Sequence, residues 1–164
     1  MVNTLKKKNG WKSVESYTTR AKRYEGETGH TFITDEEFDN LENVCALTVF
    51  DEYRYCATQE QIDESDIFVV DPDGVDFFLE KYKGNKDVLT IELLADRRTR
   101  YIRMRARGDS IFKVIKRLKH DKWKFANSKS DIYINANQEA LQVYRDFLNV
   151  NSLYKSIKKE KSRV

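Results

Sequence analysis

Ser16-Tyr17-Thr18-Thr19-Arg20-Ala21-Lys22-Arg23, continued by Tyr24-Glu25-Gly26-Glu27-Thr28-Gly29-His30, is the stretch on which the reading of this 164-residue chain turns. It sets two arginines three residues apart, among hydroxyl side chains and ahead of a glycine-bearing turn. A guanidinium presents a planar fork of N–H donors that matches phosphate oxygens, so the spacing predicts a compact site for a phosphate dianion. Fifteen residues precede Ser16, and Gly10 is their only glycine. They hold no glycine-rich loop whose backbone N–H groups could cradle the phosphates of ATP.

Composition bounds the rest. A hydrophobic fraction of 40% and a charged fraction of 35% are consistent with one soluble domain around one core. The 30 basic and 27 acidic residues are interspersed and leave a net charge of +3, so charge alone does not point to nucleic acid, and none is expected as a partner. Cys45 and Cys56 are the only cysteines, no cleavable apolar segment follows the basic start, and the apolar runs are too short to cross a bilayer. The expectation is a cytoplasmic protein with no membrane partner. His30 and His120 are the only histidines and share no ligand-like spacing with the cysteines, so no metal site is expected.

Working outward from the fork, Met1 to Lys8 reads as a basic helix stopped by Asn9-Gly10, and Lys12 to Tyr17 as a short strand. Thr34-Asp35-Glu36-Glu37 has the form of an acidic capping box, with Phe38 and Leu41 as the apolar side of a short helix. Val44 to Tyr55 predicts a hairpin turning near Asp51-Glu52, and Gln59 to Glu64 a helical turn. Ile67-Phe68-Val69-Val70 predicts a buried parallel strand that stops at Asp71-Pro72-Asp73-Gly74 and hands over to a helix from Val75 to Tyr82. Val88 to Leu94 predicts a second buried strand, followed by a helix rich in arginine.

Ser110 to Phe125 is amphipathic through Ile111, Val114, Ile115 and Leu118, Ile132 to Ile134 reads as a third strand ending at Asn135, and Gln138 to Leu148 as a closing helix. Lys155 to Val164 is lysine-rich and expected to fray. Strands alternating with helices make an α/β domain with a parallel sheet, in which sites lie at the carboxyl ends of strands. Tyr17, Asp71 and Asn135 occupy such ends.

The segment Ser-Tyr-Thr-Thr-Arg-x-x-Arg with a following Gly-Glu resembles guanylate kinase. So does the order of the later pieces of the chain: an acidic helix start, a Tyr-rich hairpin, an Asp-x-x-Gly turn, an arginine-rich lid and a strand ending in Asn. The resemblance runs from Val2 to about Phe147. It implies a P-loop NTPase-like parallel sheet flanked by helices, GMP or dGMP as acceptor, and ATP with Mg²⁺ on the donor side. By the resemblance Arg20 and Arg23 hold the GMP phosphate, with Ser16 nearby and Tyr55 reaching it from the hairpin. His30 stands where another phosphate-contacting tyrosine is usual; a turn residue ahead of a strand is the competing reading.

Arg103, Arg107 and Arg117 match arginines that clamp the ATP phosphates and spread the charge of the transferring group. Arg97, Arg98, Arg100 and Arg105 read instead as a solvated helix face. Asp71 matches an acidic residue near the acceptor nucleotide and metal, although capping a helix start together with Asp73 competes with that role. Asn135 looks like the residue beside the adenine.

The departures are specific. Ala46 falls where the family reads guanine with a glutamate, Ala57 where a small hydroxyl touches the base, with Thr58 beside it, and Val69 replaces a second aspartate. The base could instead be read by neighbours such as Thr48. The family's opening strand and its Gly-x-x-x-x-Gly-Lys-Ser/Thr loop have no counterpart here. The expectation is therefore a guanylate kinase-like domain over residues 1–148, N-terminally incomplete, with a basic tail over 149–164. Its family reaction is ATP + GMP (or dGMP) to ADP + GDP (or dGDP), inactive without the loop. A non-catalytic module that binds phosphate or a phosphopeptide is the alternative.

Overall fold

The computed structural model describes residues 1–161. The chain divides into two compact units, Val2–Val88 and Leu89–Val164.

The N-terminal unit begins with helix α1 (Val2–Asn9), which ends where Gly10 takes a left-handed φ of 69°. Strands β1 (Tyr17–Thr18) and β2 (Thr31–Phe32) bracket the fork loop and pair in parallel. Helix α2 (Asp35–Asp39) starts at Thr34, whose hydroxyl accepts the Glu37 N–H while the Glu37 carboxylate accepts the Thr34 N–H, the reciprocal box that the sequence predicts. The hairpin β3 (Val44–Phe50) and β4 (Tyr53–Thr58) turns at Asp51 and Glu52, both with positive φ, as a two-residue turn of this hand requires. Helices α3 (Gln59–Asp63) and α4 (Pro72–Lys81) complete the unit.

Its sheet runs β2-β1-β4-β3, with β4 antiparallel to both β1 and β3. Val14, Cys45, Ala46, Ala57, Ile62 and Phe78 form the core, covered by Phe68, Tyr82 and Val88. Burying each of the larger apolar side chains contributes roughly 1.5–3 kcal/mol.

The run Ile67–Val70 departs from expectation. Ile67 makes one parallel bridge to Ser13, accepting the Val14 N–H at 2.9 Å, and the ladder stops there. Val69 is 67% exposed. An apolar run becomes a strand only where a neighbouring edge continues to pair with it, and beyond Ser13 the chain turns toward β1 instead.

The C-terminal unit holds β5 (Ile91–Leu94), α5 (Arg97–Ala106), α6 (Ile111–Lys124), β6 (Ile132–Asn135) and α7 (Ala140–Lys161). β5 and β6 pair in parallel from Ile91↔Ile132 to Leu94↔Asn135. β5 is shorter than the predicted Val88–Leu94 and its Leu93 and Leu94 are exposed. Val114, Leu118, Ile134, Ala136, Val143 and Phe147 are buried. α7 is far longer than the predicted Gln138–Leu148: the stretch expected as a frayed tail continues the helix to Lys161, because lysine, leucine and glutamate are good helix formers. Residues 162–164 of that tail lie outside the described residues. Among the described residues no helix is long and apolar enough to cross a membrane.

Candidate functional site

The fork loop is shaped by Gly26 and Gly29, at φ of 78° and 95°, a backbone that a side chain rarely adopts. These turns fold Glu27 back onto the arginines. Arg20 donates to Glu27 through both terminal nitrogens, at 2.8 and 3.2 Å, and to the Ala21 carbonyl at 2.7 Å. The pair is buried, with the side chains of Arg20 and Glu27 9% and 6% exposed. The Glu27 carboxylate also accepts the Arg23 backbone N–H at 2.6 Å. The bond from Arg20 and then that from Arg23 hold its carboxyl down at about 2. The Arg23 guanidinium stands 3.7 Å from the same carboxylate but is 71% exposed.

The Arg20 Nε–H is buried and has no partner. The Tyr55 hydroxyl on β4 lies beside the Arg20 guanidinium. His30 packs its ring edge against Tyr55, with centroids 5.6 Å apart, and its Nδ1 is hydrogen-bonded to Ser16 Oγ at 3.0 Å. Burial, and then the charge of Arg20, push the His30 imidazole below its usual value, which favours the neutral ring. Beneath the loop, the Phe32 ring lies 5.2 Å from the Arg20 guanidinium carbon. Ser16, Arg20, Arg23, His30 and Tyr55 are thus linked, with Glu27, into one cluster.

Thr58 and Asp71 sit elsewhere in the same unit, as helix caps. Thr58 accepts the Gln61 N–H at the start of α3. Asp71 accepts the Gly74 N–H at the start of α4 and the Thr48 hydroxyl at 2.8 Å. Capping is therefore what Asp71 does here, and it binds the hairpin to α4, with Asp73 in the first turn of the same helix. Ala46 and Ala57 face each other across β3 and β4 at 1% and 0% exposure, inside the core. Burial pushes the thiols of Cys45 and Cys56 up to about 11 and about 12, so neither is a nucleophile at neutral pH.

The remaining predicted residues lie in the C-terminal unit. Arg103, on α5, donates to the Gln138 carbonyl at 3.1 Å, and Arg107, just after it, pairs with Asp109. Arg117, on α6, pairs through Nε with Asp121 at 3.1 Å. Arg100 departs from the solvated reading. It reaches the same Asp121 at 3.4 Å, and its Nε is buried. Arg105 donates to the Asp109 carbonyl, while Arg97 and Arg98 are exposed. Asn135 uses its side-chain oxygen to accept the Asn137 N–H.

Glu27, Phe32 and Asp121 are organising residues that sequence reasoning did not assign. An acidic residue seven positions after Arg20, between two glycines, is the signal for the first; an i,i+4 spacing from Arg117 is the signal for the last.

Both oxygens of Asp71 already accept bonds, and among the described residues no three His, Cys, Asp or Glu side chains gather as metal ligands.

No family model and no curated protein matches this chain. Among solved structures, guanylate kinase from Anaplasma phagocytophilum is similar, with a TM-score of 0.62 and 21% identity over 85% of this chain and 74% of that one. The chain has a guanylate kinase-like fold: α/β, with parallel strand pairing flanked by helices.

Proposed function

We propose that the cluster of Ser16, Arg20, Arg23, His30 and Tyr55 binds the phosphate of a nucleoside monophosphate, GMP or dGMP by the family likeness. One observation carries the reading: Arg20 is locked by Glu27 in a buried pair while its Nε–H is left unpartnered and Arg23 stays exposed beside it. A buried donor without an acceptor costs stability, and a phosphate oxygen would satisfy it. Arg20 would act as the fixed donor, Arg23 as the mobile one, and the Tyr55 and Ser16 hydroxyls as neutral partners. His30, neutral and joined to Ser16, would donate from its remaining ring nitrogen or gain a proton as the dianion binds.

Transfer of a phosphoryl group from ATP is the family reaction, with Arg103, Arg107 and Arg117 as its charge-spreading groups. The 164 residues hold no glycine-rich phosphate loop. What these residues support by themselves is binding of the acceptor phosphate. The apolar pair Ala46 and Ala57 offers a base no hydrogen bond, which favours reading the phosphate over the base.

Calorimetric titration with GMP, dGMP and ATP tests the reading. Micromolar to millimolar GMP binding is expected, weakened about tenfold by Arg23→Ala, the loss of one charge-assisted contact. GMP affinity indifferent to Arg23→Ala would refute it. ADP release with GMP as acceptor measures whether transfer accompanies binding.

A further inference from the structure

Helix α6 buries one side, through Val114, Leu118 and Asp121, and presents a different pattern on the other. Phe112 is 86% exposed and Trp123 78% exposed. Residues 112, 116, 119 and 123 fall within one sector of a helix with 3.6 residues per turn, so Lys116 and Lys119 lie between the two aromatics on the same side. The aromatics stand about 16 Å apart along the axis. Lys113 and Lys122 flank the sector, and the Lys122 ammonium lies 5.7 Å from the Trp123 ring centroid. The only acid on α6, Asp121, is turned inward onto Arg100 and Arg117. The expectation against nucleic acid concerns the arginine-rich helix and the lysine tail; α6, outside it, sets aromatic and basic positions on one face.

We propose that this face of α6 binds single-stranded nucleic acid, with Phe112 and Trp123 stacking on bases and the lysines neutralising the phosphates between them. Charge complementarity selects a polyanion, and two exposed rings separated by ammonium groups match a strand that alternates stackable faces with charges. A bilayer is the poorer match. Ile111 and Ile115 are exposed beside Phe112, but Lys116 and Lys119 stand between that patch and Trp123, where insertion needs a contiguous apolar face. Duplex is also disfavoured, because its bases are already stacked on each other.

The test uses the whole chain and a fluorescein-labelled oligothymidylate of about 15 nucleotides, a length within the range of single-strand sites. Anisotropy should report binding whose log K falls with log salt at a slope of about −2 to −3, as expected when three or four phosphates are neutralised. Phe112→Ala with Trp123→Ala should weaken binding roughly 100-fold, about tenfold per stacked base. Tyrosine at both positions should restore most of it, which a folding defect would not allow. Lys116→Gln with Lys119→Gln should flatten the salt slope by about one to two. Lys7→Gln, an exposed charge on α1, should leave the affinity unchanged. Three results would each overturn the proposal: unaltered affinity in the double alanine variant, equal affinity for heparin and the strand, or binding of phosphatidylserine vesicles with none of the strand.

Discussion

Glu27 and Asp121 are two inward-turned carboxylates that each gather a pair of arginines, and they hold them differently. Glu27 grips Arg20 through two parallel bonds with both side chains at least nine-tenths buried, and it fixes the Arg23 backbone besides. Asp121 takes Arg117 and Arg100 by one contact each, at 3.1 and 3.4 Å, and those arginines are 46% and 32% exposed. The first pair has one geometry and little freedom to leave it. In the second, Arg100 and Arg117 are partly in water and can turn away more readily than Arg20, although Asp121 itself is buried. A fixed anchor suits the acceptor-phosphate role proposed for Arg20, and an adjustable pair the donor-side role proposed for Arg117.

The largest expected effect comes from breaking the tighter pair. Glu27→Gln leaves the Arg20 charge buried without a counter-charge, so the Tm should drop by several degrees, more than for any other single variant named here. Scanning calorimetry checks it. A drop no larger than that of Asp121→Asn would dissolve the distinction between the two clusters.

Acid should find the same difference. The Glu27 carboxyl is held at about 2 against an unfolded value near 4.5. A depressed acid contributes stability that is complete above the unfolded value and is lost as pH falls from about 4.5 toward 2, where the folded carboxylate is finally protonated. His30, also depressed, adds a shallower loss that starts as pH falls below about 6.5, where the unfolded imidazole takes up a proton that the folded one resists. Thermal melts of wild type and Glu27→Gln between pH 7 and 2 should diverge least below pH 3. Parallel curves across the range would show that Glu27 is not the titrating group.

Asp121→Asn should cost less, about 1 kcal/mol, because each lost contact is partly solvated. It should instead loosen Arg117, which urea melts together with side-chain NMR of the arginine Nε–H groups can detect. Unchanged Nε–H signals would mean that Asp121 does not position Arg117.

How far these clusters could be read in the sequence depended on distance. Arg20 and Arg23 are local, and their spacing predicts the fork. The α2 capping box and the hairpin are local too and formed where expected; α4 also formed, but from Pro72 to Lys81 rather than from Val75 to Tyr82, because Asp71 caps it and proline suits a first helical position. Glu27 was hidden because its reach to Arg20 depends on left-handed turns at Gly26 and Gly29, a property of backbone angles rather than residue types. Arg100 read as solvated because its partner lies 21 residues away on another helix. Ile67–Val70 had every intrinsic preference for a strand but no continuing ladder, and β propensity is mostly a statement about neighbours. The pattern on α6 was half legible: of the expected apolar face Val114 and Leu118 are buried, while Ile111 and Ile115 are exposed, and the exposed rings of Phe112 and Trp123 emerge only from the structure.

The smallest effect should come from Arg107→Ala. Arg107 pairs with Asp109 two residues away, and its side chain is 71% exposed, so the pair is screened and entropically costly to hold. The change in stability should stay within about 0.5 kcal/mol, inside the scatter of most surface substitutions. That small value is informative because Arg107 is also one of the arginines proposed to meet the donor phosphates. If it is free to leave Asp109, its removal should be silent in thermal melts and visible only in affinity for a triphosphate. A Tm loss equal to that of Asp121→Asn would place Arg107 among the residues that hold the C-terminal unit together, and would leave Arg103 and Arg117 as the charge-spreading candidates.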